Sequence, residues 1–469
     1  MNRRFPFLLC ISVLFYLSLG AFVIPRGAVY ADSAPNDCNI VLITIDTLRA
    51  DHLSCYGYER TTSPNIDAIA EKGMLFKNAI APSSWTAPSM ASLFTSVYPV
   101  NHGVLHGIGY QEGRTINIQE VFSDKLRTLP ELLQEQGYST FGVASNLHLS
   151  EKFGFARGFD YFQCLPWVSA EKVNRTIGFW QDEIKNAEKF FLWVHYFDPH
   201  HFYHARSPWI EDYTSQQLTD TLEFSGKSWK TLISLIPMLQ QNTQALAHLI
   251  ALYDSEINFV DRAIGNIFRT LSLDNNTLII ITSDHGEEFL DHGGLGHGSS
   301  LYQELIHIPL IVKLPYREKK ETIDSTVNLV DIMPSVLYAL NCDNPPQTLG
   351  KSFLVERGPF FWLKKFFSKQ KVSADTFSEL DIGSKQKTLV SFPWKYIYNY
   401  RNNTEQLYDL RRDPHELTNL SEGNTKQRVR LKQNLLDWAE TATTYTPQKK
   451  PFLLTPEEKE RLKALGYMQ

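Results

Sequence analysis

The chain is poor in cysteine and has no excess of basic residues. Its 469 residues include five cysteines, and 46 Lys and Arg stand against 51 Asp and Glu, a formal net charge of −5. No cysteines show the paired spacing of a structural metal site. The charge balance gives no footprint for a nucleic-acid partner. Any anion-binding site must therefore be built locally, from a few residues.

Long apolar runs are also absent, with one exception near the N-terminus. An apolar stretch over residues 5–24 follows two arginines, and small residues lead up to Ala31. This pattern predicts a signal peptide over residues 1–31 and hence an exported protein, periplasmic or extracellular. Because the stretch approaches the ~20 residues of a spanning helix, an uncleaved N-terminal membrane anchor is the alternative.

An exported protein meets an oxidising compartment, where cysteines pair. Four cysteines lie beyond the predicted signal and allow three pairings: Cys38, Cys55, Cys164 and Cys342. Cys38 and Cys55 are predicted at opposite ends of a strand, beyond the ~7 Å that a disulfide tolerates between Cα atoms. That pair is therefore disfavoured.

What the chain has is a regular alternation of apolar runs. Continuous β-branched or aromatic runs predict buried strands over 39–45, 190–194 and 277–283. Shorter strands are predicted over 74–79, 139–144 and 308–314, and helices over 63–70, 128–136 and 245–271. The alternation predicts an α/β fold, a doubly wound, mostly parallel sheet flanked by helices.

Three segments follow from this pattern. A catalytic domain is expected over 36–345, and residues 201–245, which lack a clean period, are expected to form a lid over it. From about residue 346, short strands (388–392, 395–400, 406–410) and a helix over 426–439 predict a smaller C-terminal α+β subdomain up to residue 469. The aromatic residues of the lid would pack or bind substrate.

Polar side chains follow the three buried runs directly. Asp46 follows the first run, Asp284 and His285 follow the third, and the second leads into His195 and His200. The carboxyl ends of strands in an open α/β sheet line the usual ligand-binding crevice. These residues are therefore candidates for a site, with capping or packing roles as the alternative.

A hydroxyl is also expected at the start of a helix. Thr86 precedes Pro88, which suits a first helical turn, and residues 90–97 are good to neutral helix formers. Unpaired N–H groups and the helix dipole favour an anion there, such as a phosphate or sulfate ester. An ordinary helix cap is the alternative.

Several stretches, in this order, resemble the sulfatase-type members of the alkaline phosphatase superfamily, and together they cover nearly the whole chain. They are Ile45–His52, Ser63–Asp67, Thr86–Ser89, His195–His200, Ser283–Gly286, Gly296–Gly298, Val330–Ser335, Leu407–Leu410 and Leu462–Tyr467. The resemblance implies the alkaline-phosphatase-like version of the fold predicted above.

The resemblance also implies one divalent metal ion. Its ligands would be Asp46, Asp284, His285 and the nucleophile Thr86. Two carboxylates, an imidazole and a hydroxyl oxygen favour zinc or manganese, with calcium and magnesium as alternatives. The ion would activate the Thr86 hydroxyl.

Three further histidines complete the implied site. His195, His200 and His297 would hold the non-bridging oxygens of the substrate or protonate the leaving group. The substrate would be an ester of a small molecule, a glycan or a lipid head group.

The departures from the sulfatase pattern bear on the reaction. Sulfatases have cysteine or serine, converted to formylglycine, where Thr86 stands, and usually arginine at the position of Met90. Thr47 stands where many have a metal-binding Asp, and no lysine lies between Asp284 and Tyr302. A Thr nucleophile is similar instead to phosphoethanolamine transferases and lipoteichoic acid synthases. A phosphate-ester hydrolase or transferase is thus expected, with an arylsulfatase-like sulfuric ester hydrolase or a catalytically silent binder of an anionic head group as alternatives.

Overall fold

The computed structural model describes residues 29–31, 37–106, 118–215, 224–273, 275–356, 375–451 and 453–465. The predicted apolar core of the signal, residues 5–24, lies outside these ranges. Within them, no helix has both the length and the apolar character needed to cross a bilayer. The backbone of Val29–Ala31, assigned to the signal, pairs in parallel with Leu354–Glu356. Those three residues therefore take part in the fold of the full chain.

One eight-stranded sheet organises the larger part of the molecule. Its strands lie in this order: Glu321–Asn328, Met74–Ile80, His307–Lys313, Thr277–Ser283, Asn39–Ile45, Phe190–Tyr196, Ser139–Ala144 and Tyr161–Cys164. His307–Lys313 runs antiparallel to both of its neighbours, and the other pairs are parallel. The predicted mostly parallel sheet is confirmed.

The strand Asn39–Ile45 shows why the sheet is buried on both faces. Successive side chains of a strand point to opposite faces. Ile40 and Leu42 join an apolar cluster that includes the helix Thr86–Thr95, whereas Val41 and Ile43 join the cluster on the helix Thr243–Leu271. A continuous apolar run is what this double burial requires.

Helices cover both faces of the sheet, as predicted. The α-helices are Pro64–Ala70, Thr86–Thr95, Pro99–His102, Leu129–Glu135, Ala170–Phe179, Gln181–Asn186, Trp209–Tyr213, Trp229–Ser234, Ile236–Gln241, Thr243–Leu271, Gln303–Ile306, Ile332–Ala339, Thr425–Glu440 and Pro456–Ala464. The predicted helices over 63–70, 128–136 and 245–271 each correspond to one of these within two residues.

A separate antiparallel sheet forms the C-terminal part. Its strands are Asp375–Leu380, Gln386–Ser391, Trp394–Asn399 and Thr404–Asp409, in that order. The helix Thr425–Glu440 packs on it through Leu431 and Leu435. The predicted small α+β subdomain is confirmed, with a first strand that the sequence pattern did not indicate.

Two local features complete the fold. The glycine-rich loop over residues 286–298 contains a small hairpin, in which Glu288–Phe289 pairs with Leu295–Gly296. Cys38, Cys55, Cys164 and Cys342 are all free thiols, so none of the three pairings is formed.

A buried ion pair ties the C-terminal sheet to the larger part. Lys395 Nζ lies 2.8 Å from Glu416 Oε1, and both side chains are fully buried. The other carboxylate oxygen of Glu416 accepts from the backbone N–H of Gln303 at 2.6 Å. Gln303 belongs to the short helix that follows the glycine-rich loop, so the pair holds the two parts together.

Replacing Lys395 by methionine should lower the free energy of unfolding by about 3–5 kcal/mol, because it leaves the Glu416 carboxylate buried without an opposite charge. The double variant Lys395→Met/Glu416→Gln should regain much of the loss, since it removes both charges and keeps an acceptor for Gln303. Denaturation by urea, followed by circular dichroism, measures both. Lys72→Met, at an exposed ion pair, is the control and should cost at most ~1 kcal/mol; equal losses in all three would contradict the role of the pair.

Candidate active site

The strand register brings the predicted carboxylates together. Ile45 pairs with Ser283 on the neighbouring strand, so Asp46 and Asp284 follow at the same level. On the other side, Thr44 pairs with His195. Asp46, Asp284 and His285 are completely buried. Because these strands are parallel neighbours, residues up to 239 positions apart in the sequence meet at the carboxyl end of the sheet.

Each carboxylate uses one oxygen within the protein and leaves the other without a partner. Asp284 Oδ1 accepts from the N–H groups of Thr47 at 3.3 Å and His285 at 2.9 Å. Asp46 Oδ2 accepts from the Asn146 side chain at 2.7 Å. Asp284 Oδ2 and Asp46 Oδ1 are buried with no hydrogen-bond donor among the described residues. Such oxygens are costly unless something else satisfies them.

The His285 ring completes this group. Its Nδ1 donates to the Gly286 carbonyl at 2.9 Å, which leaves the lone pair on Nε2. Nε2 lies 3.5 Å from Asp46 Oδ1 and 3.4 Å from Asp284 Oδ2, the two unpartnered oxygens. Three electron-pair donors converge on one point, with a carbonyl holding the ring in position. This donor set fits a divalent cation.

The electrostatics agree. Burial, followed by the charge of Asp284, raises the pKa of Asp46 well above its ordinary value, and burial lowers the pKa of His285. The negative charge of Asp284 disfavours the ionised form of Asp46. A bound cation would reverse that preference.

Thr86 is the first residue of the helix Thr86–Thr95 and does not cap it. The cap position is Trp85, and no side chain caps there. Thr86 Oγ1 points instead into the site, 3.3 Å from His285 Nε2. The predicted alternative of an ordinary cap is therefore wrong, and the hydroxyl adjoins the three converging donors.

The C-terminal sheet holds the loop that leads to Thr86. Ser378 Oγ donates to the Ala81 carbonyl at 2.6 Å, and the Glu379 N–H donates to the Pro82 carbonyl at 2.9 Å. Ser83 Oγ donates to the Glu379 carbonyl at 2.7 Å. The position of the hydroxyl thus depends on both parts of the molecule.

Sequence reasoning missed Asn146. Its Nδ2 donates to Asp46 Oδ2 at 2.7 Å and lies 3.3 Å from Thr86 Oγ1, while its Oδ1 accepts from the His148 N–H at 3.0 Å. Asn146 follows the strand Ser139–Ala144, which lies beside Phe190–Tyr196. The rule that located Asp46 at a strand end could have found it.

The predicted histidines occupy two different places. His195 is buried beside Asp46, with its Nε2 3.9 Å from Asp46 Oδ2. His200 and His297 lie on the His285 side of the group, with ring centroids 4.8 Å apart, and the His297 centroid is 4.5 Å from that of His285. Burial lowers the pKa of His195 and of His297 to about 4, so both are neutral at pH 7.

Two more residues of this side were not predicted. His201 is buried next to His200, with ring centroids 4.2 Å apart. Glu287 Oε1 accepts from His297 Nδ1 at 2.9 Å. Burial raises the pKa of Glu287 to about 7. His201 directly follows the predicted His200, and Glu287 lies three positions after the predicted Asp284. Their nearness in the sequence was the signal that could have found them.

The aromatic residues of the expected lid, residues 201–245, occupy two kinds of position. Tyr203 is fully buried, and the Tyr213 hydroxyl donates to the Thr61 carbonyl. Trp229 instead lies 4.9 Å from the His201 ring, centroid to centroid. It also fills the space where a Cβ at Gly296 would stand, 2.1 Å from that position. The absence of a side chain at Gly296, which has φ +86°, thus leaves room for Trp229 beside His201.

The positions that depart from sulfatases have structural consequences. Met90 is fully buried in the apolar core, so no cation stands there. Thr47 adopts φ 57°, which is uncommon for a β-branched residue. Its N–H is thereby directed to Asp284, and its own buried hydroxyl has no partner among the described residues.

Family models match the chain along most of its length. The sulfatase model matches residues 38–342, and the C-terminal model of N-sulphoglucosamine sulphohydrolase matches residues 294–441. The chain belongs to the sulfatase family and is a sulfatase-family hydrolase.

Individual relatives are distant. The uncharacterised sulfatase YidJ of Escherichia coli is 24% identical over 450 residues, covering 85% of this chain and 86% of that protein. The arylsulfatase of Clostridium perfringens is 25% identical over 452 residues, covering 81% and 90%. The phosphonate monoester hydrolase of Agrobacterium radiobacter shares the fold at a TM-score of 0.65 and 20% identity, covering 90% of this chain and 99% of that one.

Asn146→Ala should lower the affinity for a divalent metal by roughly 10–100-fold, because the Asp46 carboxylate loses the donor that orients it. Isothermal titration of the metal-free protein with Zn²⁺ or Mn²⁺ measures the effect. Asn402→Ala, in an exposed turn of the C-terminal sheet, is the control. Unchanged affinity in Asn146→Ala would show that Asn146 does not position the ligand.

Proposed function

We propose that the protein is an exported, metal-dependent hydrolase or transferase of phosphate esters, with Thr86 as the nucleophile. The observation that carries the proposal is the Thr86 hydroxyl, 3.3 Å from His285 Nε2 at the start of a helix and beside two unpartnered carboxylate oxygens. Asp46, Asp284, His285 and Thr86 would hold the ion. The ion would lower the pKa of the Thr86 hydroxyl and polarise the ester oxygen.

The chain's own residues then account for the transfer. Thr86 Oγ gives up its proton and forms a bond to phosphorus as the bond from phosphorus to the ester oxygen breaks, and the departing oxygen takes up one proton and leaves as an alcohol. Asn146 Nδ2, 3.3 Å from Thr86 Oγ1, stabilises the Thr86 oxygen while that oxygen carries negative charge. Water or an acceptor alcohol then displaces Thr86 from phosphorus, which regenerates the hydroxyl.

The histidines support this transfer from two sides. His195, whose Nε2 lies 3.9 Å from Asp46 Oδ2, would help to position the Asp46 carboxylate that holds the ion. His200 and His297, whose rings lie together beside His285, would hold substrate oxygens. Trp229 packs against the neighbouring His201. Because neutral buried histidines add no net charge, the positive charge needed by an anionic ester must come from bound cations and the helix start.

Phosphate is favoured over sulfate by the chemistry of threonine. Sulfatases release sulfate from the geminal diol of formylglycine, and a sulfate ester on Thr86 would lack the second hydroxyl that drives this release. A phosphoryl group can instead pass in line to a second oxygen. A structural neighbour is named a phosphonate monoester hydrolase, so the fold serves phosphorus chemistry as well.

Sulfuric ester hydrolysis is the second candidate. It is favoured by the names of the relatives, which include an arylsulfatase and N-sulphoglucosamine sulphohydrolase. By that likeness the substrate would be a sulfated glycan or a small sulfate ester.

Thr86→Ala should reduce turnover by on the order of 10⁴–10⁶-fold, because the attacking oxygen is removed. Thr86→Ser keeps a hydroxyl and is the matched control, so it should retain measurable activity. Intact mass after a rapid quench should show a phosphoryl adduct on the wild type. Thr86→Ser can show the same adduct, and Thr86→Ala should not. Substantial activity of Thr86→Ala would contradict the assignment of Thr86 as the nucleophile.

An aryl phosphate diester should have a higher kcat/KM than the matching aryl sulfate, because only the phosphoryl group can leave Thr86 by in-line displacement. The comparison is made with zinc, manganese and calcium separately. Thr86→Ala, assayed in parallel, measures contaminating activity. A preference for the sulfate in every metal would favour the second candidate.

A further inference from the structure

One arginine near the candidate active site has no negative partner. Arg461 lies on the helix Pro456–Ala464 and is half-buried. Its guanidinium makes no hydrogen bond or ion pair with any residue that the structure describes, and its Nε is buried. Burial lowers the pKa of Arg461, and no acidic group of the described chain opposes that effect. A cation removed from water without a counter-charge is unfavourable, so the position calls for an anion.

The other arginines show that this arrangement is exceptional. Within the described ranges, each other arginine that is buried or half-buried has an Asp or Glu carboxylate within 3.7 Å. They are Arg49, Arg60, Arg127, Arg157, Arg206, Arg317 and Arg428.

The helix of Arg461 itself carries acidic residues at a suitable spacing. Glu457 and Glu458 precede Arg461 by four and three positions, at which side chains of a helix meet. Neither pairs with Arg461. The Glu458 carboxylate instead accepts from the Thr455 N–H at 2.7 Å and lies 3.7 Å from Lys152 Nζ. The Arg461 side chain is therefore not used to stabilise its own helix.

Arg461 points instead toward the loop of the active-site histidines. Its Cζ lies over the Phe202 ring, 4.4 Å from the centroid. Phe202 follows His201, whose Nε2 donates to the carbonyl of Leu465 at 3.1 Å, just beyond the same helix. Leu465 also packs with Phe202. These contacts fix the cation relative to the His201 ring.

A series of rings separates the cation from the reacting groups. The His201 centroid lies 5.9 Å from that of Phe202 and 6.0 Å from that of His297. Among the described residues, no contact joins Arg461 to Thr86 or to the carboxylates of the metal site. An anion bound by Arg461 is therefore not the ester that reacts.

We propose that Arg461 binds a second anionic group of the substrate, of which a carboxylate is the simplest form. Arginine can stack on an aromatic ring and still bind an oxyanion through the N–H groups of its planar fork. The substrate would then be an acidic glycan or an anionic head group, and a neutral one would be disfavoured. The inference rests on the proposed function only for the reacting ester.

Paired substrates test this specificity. They are para-nitrophenyl phosphate diesters whose second alcohol carries, on a short, medium or long spacer, either a carboxylate or the matching uncharged carboxamide. The leaving group is the same throughout. In the wild type, the best carboxylate should exceed its carboxamide in kcat/KM by roughly 10–100-fold, mainly through a lower KM. In Arg461→Gln this preference should disappear.

Three variants separate binding from structural support. Arg461→Lys keeps the charge but not the fork, so it should retain part of the preference that Arg461→Gln loses. Lys463→Gln removes an exposed cation from the same helix and is the matched control, which should retain all of it. Circular dichroism checks the folding of each variant. A purely structural role of Arg461 would lower kcat/KM for both members of a pair alike, and an unchanged ratio in Arg461→Gln would contradict the proposal.

Binding without turnover separates this inference from the proposed function. Isothermal titration uses zinc-loaded Thr86→Ala, with and without Arg461→Gln, and the same pairs of esters. A carboxylate preference that disappears with Arg461, in a protein whose wild type turns over none of the esters, would support the anion site and contradict the proposed function. Turnover without a carboxylate preference would contradict the anion site alone. Failure of every ester to bind would contradict both.

Discussion

Two buried carboxylates on adjacent strands are the constraint around which the site is built. Asp46 and Asp284 are completely buried, and the parallel register leaves them side by side. In a low-dielectric interior, such a pair is strongly unfavourable when both are ionised. The surrounding groups donate hydrogen bonds to only one oxygen of each carboxylate. Asn146 donates to one oxygen of Asp46, and backbone N–H groups donate to one oxygen of Asp284. The remaining oxygens define a cation site.

The site draws on both parts of the molecule. The C-terminal sheet holds the loop before Thr86 through Ser378 and Glu379. The residue after the last described helix, Leu465, supplies the carbonyl that orients His201. The family match accordingly extends beyond the larger sheet. The C-terminal family model overlaps the sulfatase model over residues 294–342 and continues to residue 441. The smaller part therefore helps to position the reacting groups.

Thr86 separates this chain from the chemistry that its family name suggests. Formylglycine needs cysteine or serine, and threonine provides a plain hydroxyl that can carry a phosphoryl group. Met90 stands on the same helix at the position where sulfatases usually have an arginine, and it is packed in the core. The positive charge of that arginine is therefore missing from this helix. Both departures agree with the proposed transfer through Thr86.

Local pattern was enough to identify the six inner strands of the large sheet, four of the helices beside it, three strands and one helix of the C-terminal part, and the polar residues at strand ends. Burial on both faces imposes a continuous apolar run on such a strand, and the run ends where the ligand-binding crevice begins. It was also enough to single out Asp46, Thr86, Asp284 and His285. Asn146, His201 and Glu287 required the tertiary structure, since their roles come from contacts between residues distant in sequence. The lone-pair directions of the histidines depend on acceptors such as the Leu465 carbonyl, 264 positions away from His201. No periodicity encodes such a contact, so only the folded arrangement decided it.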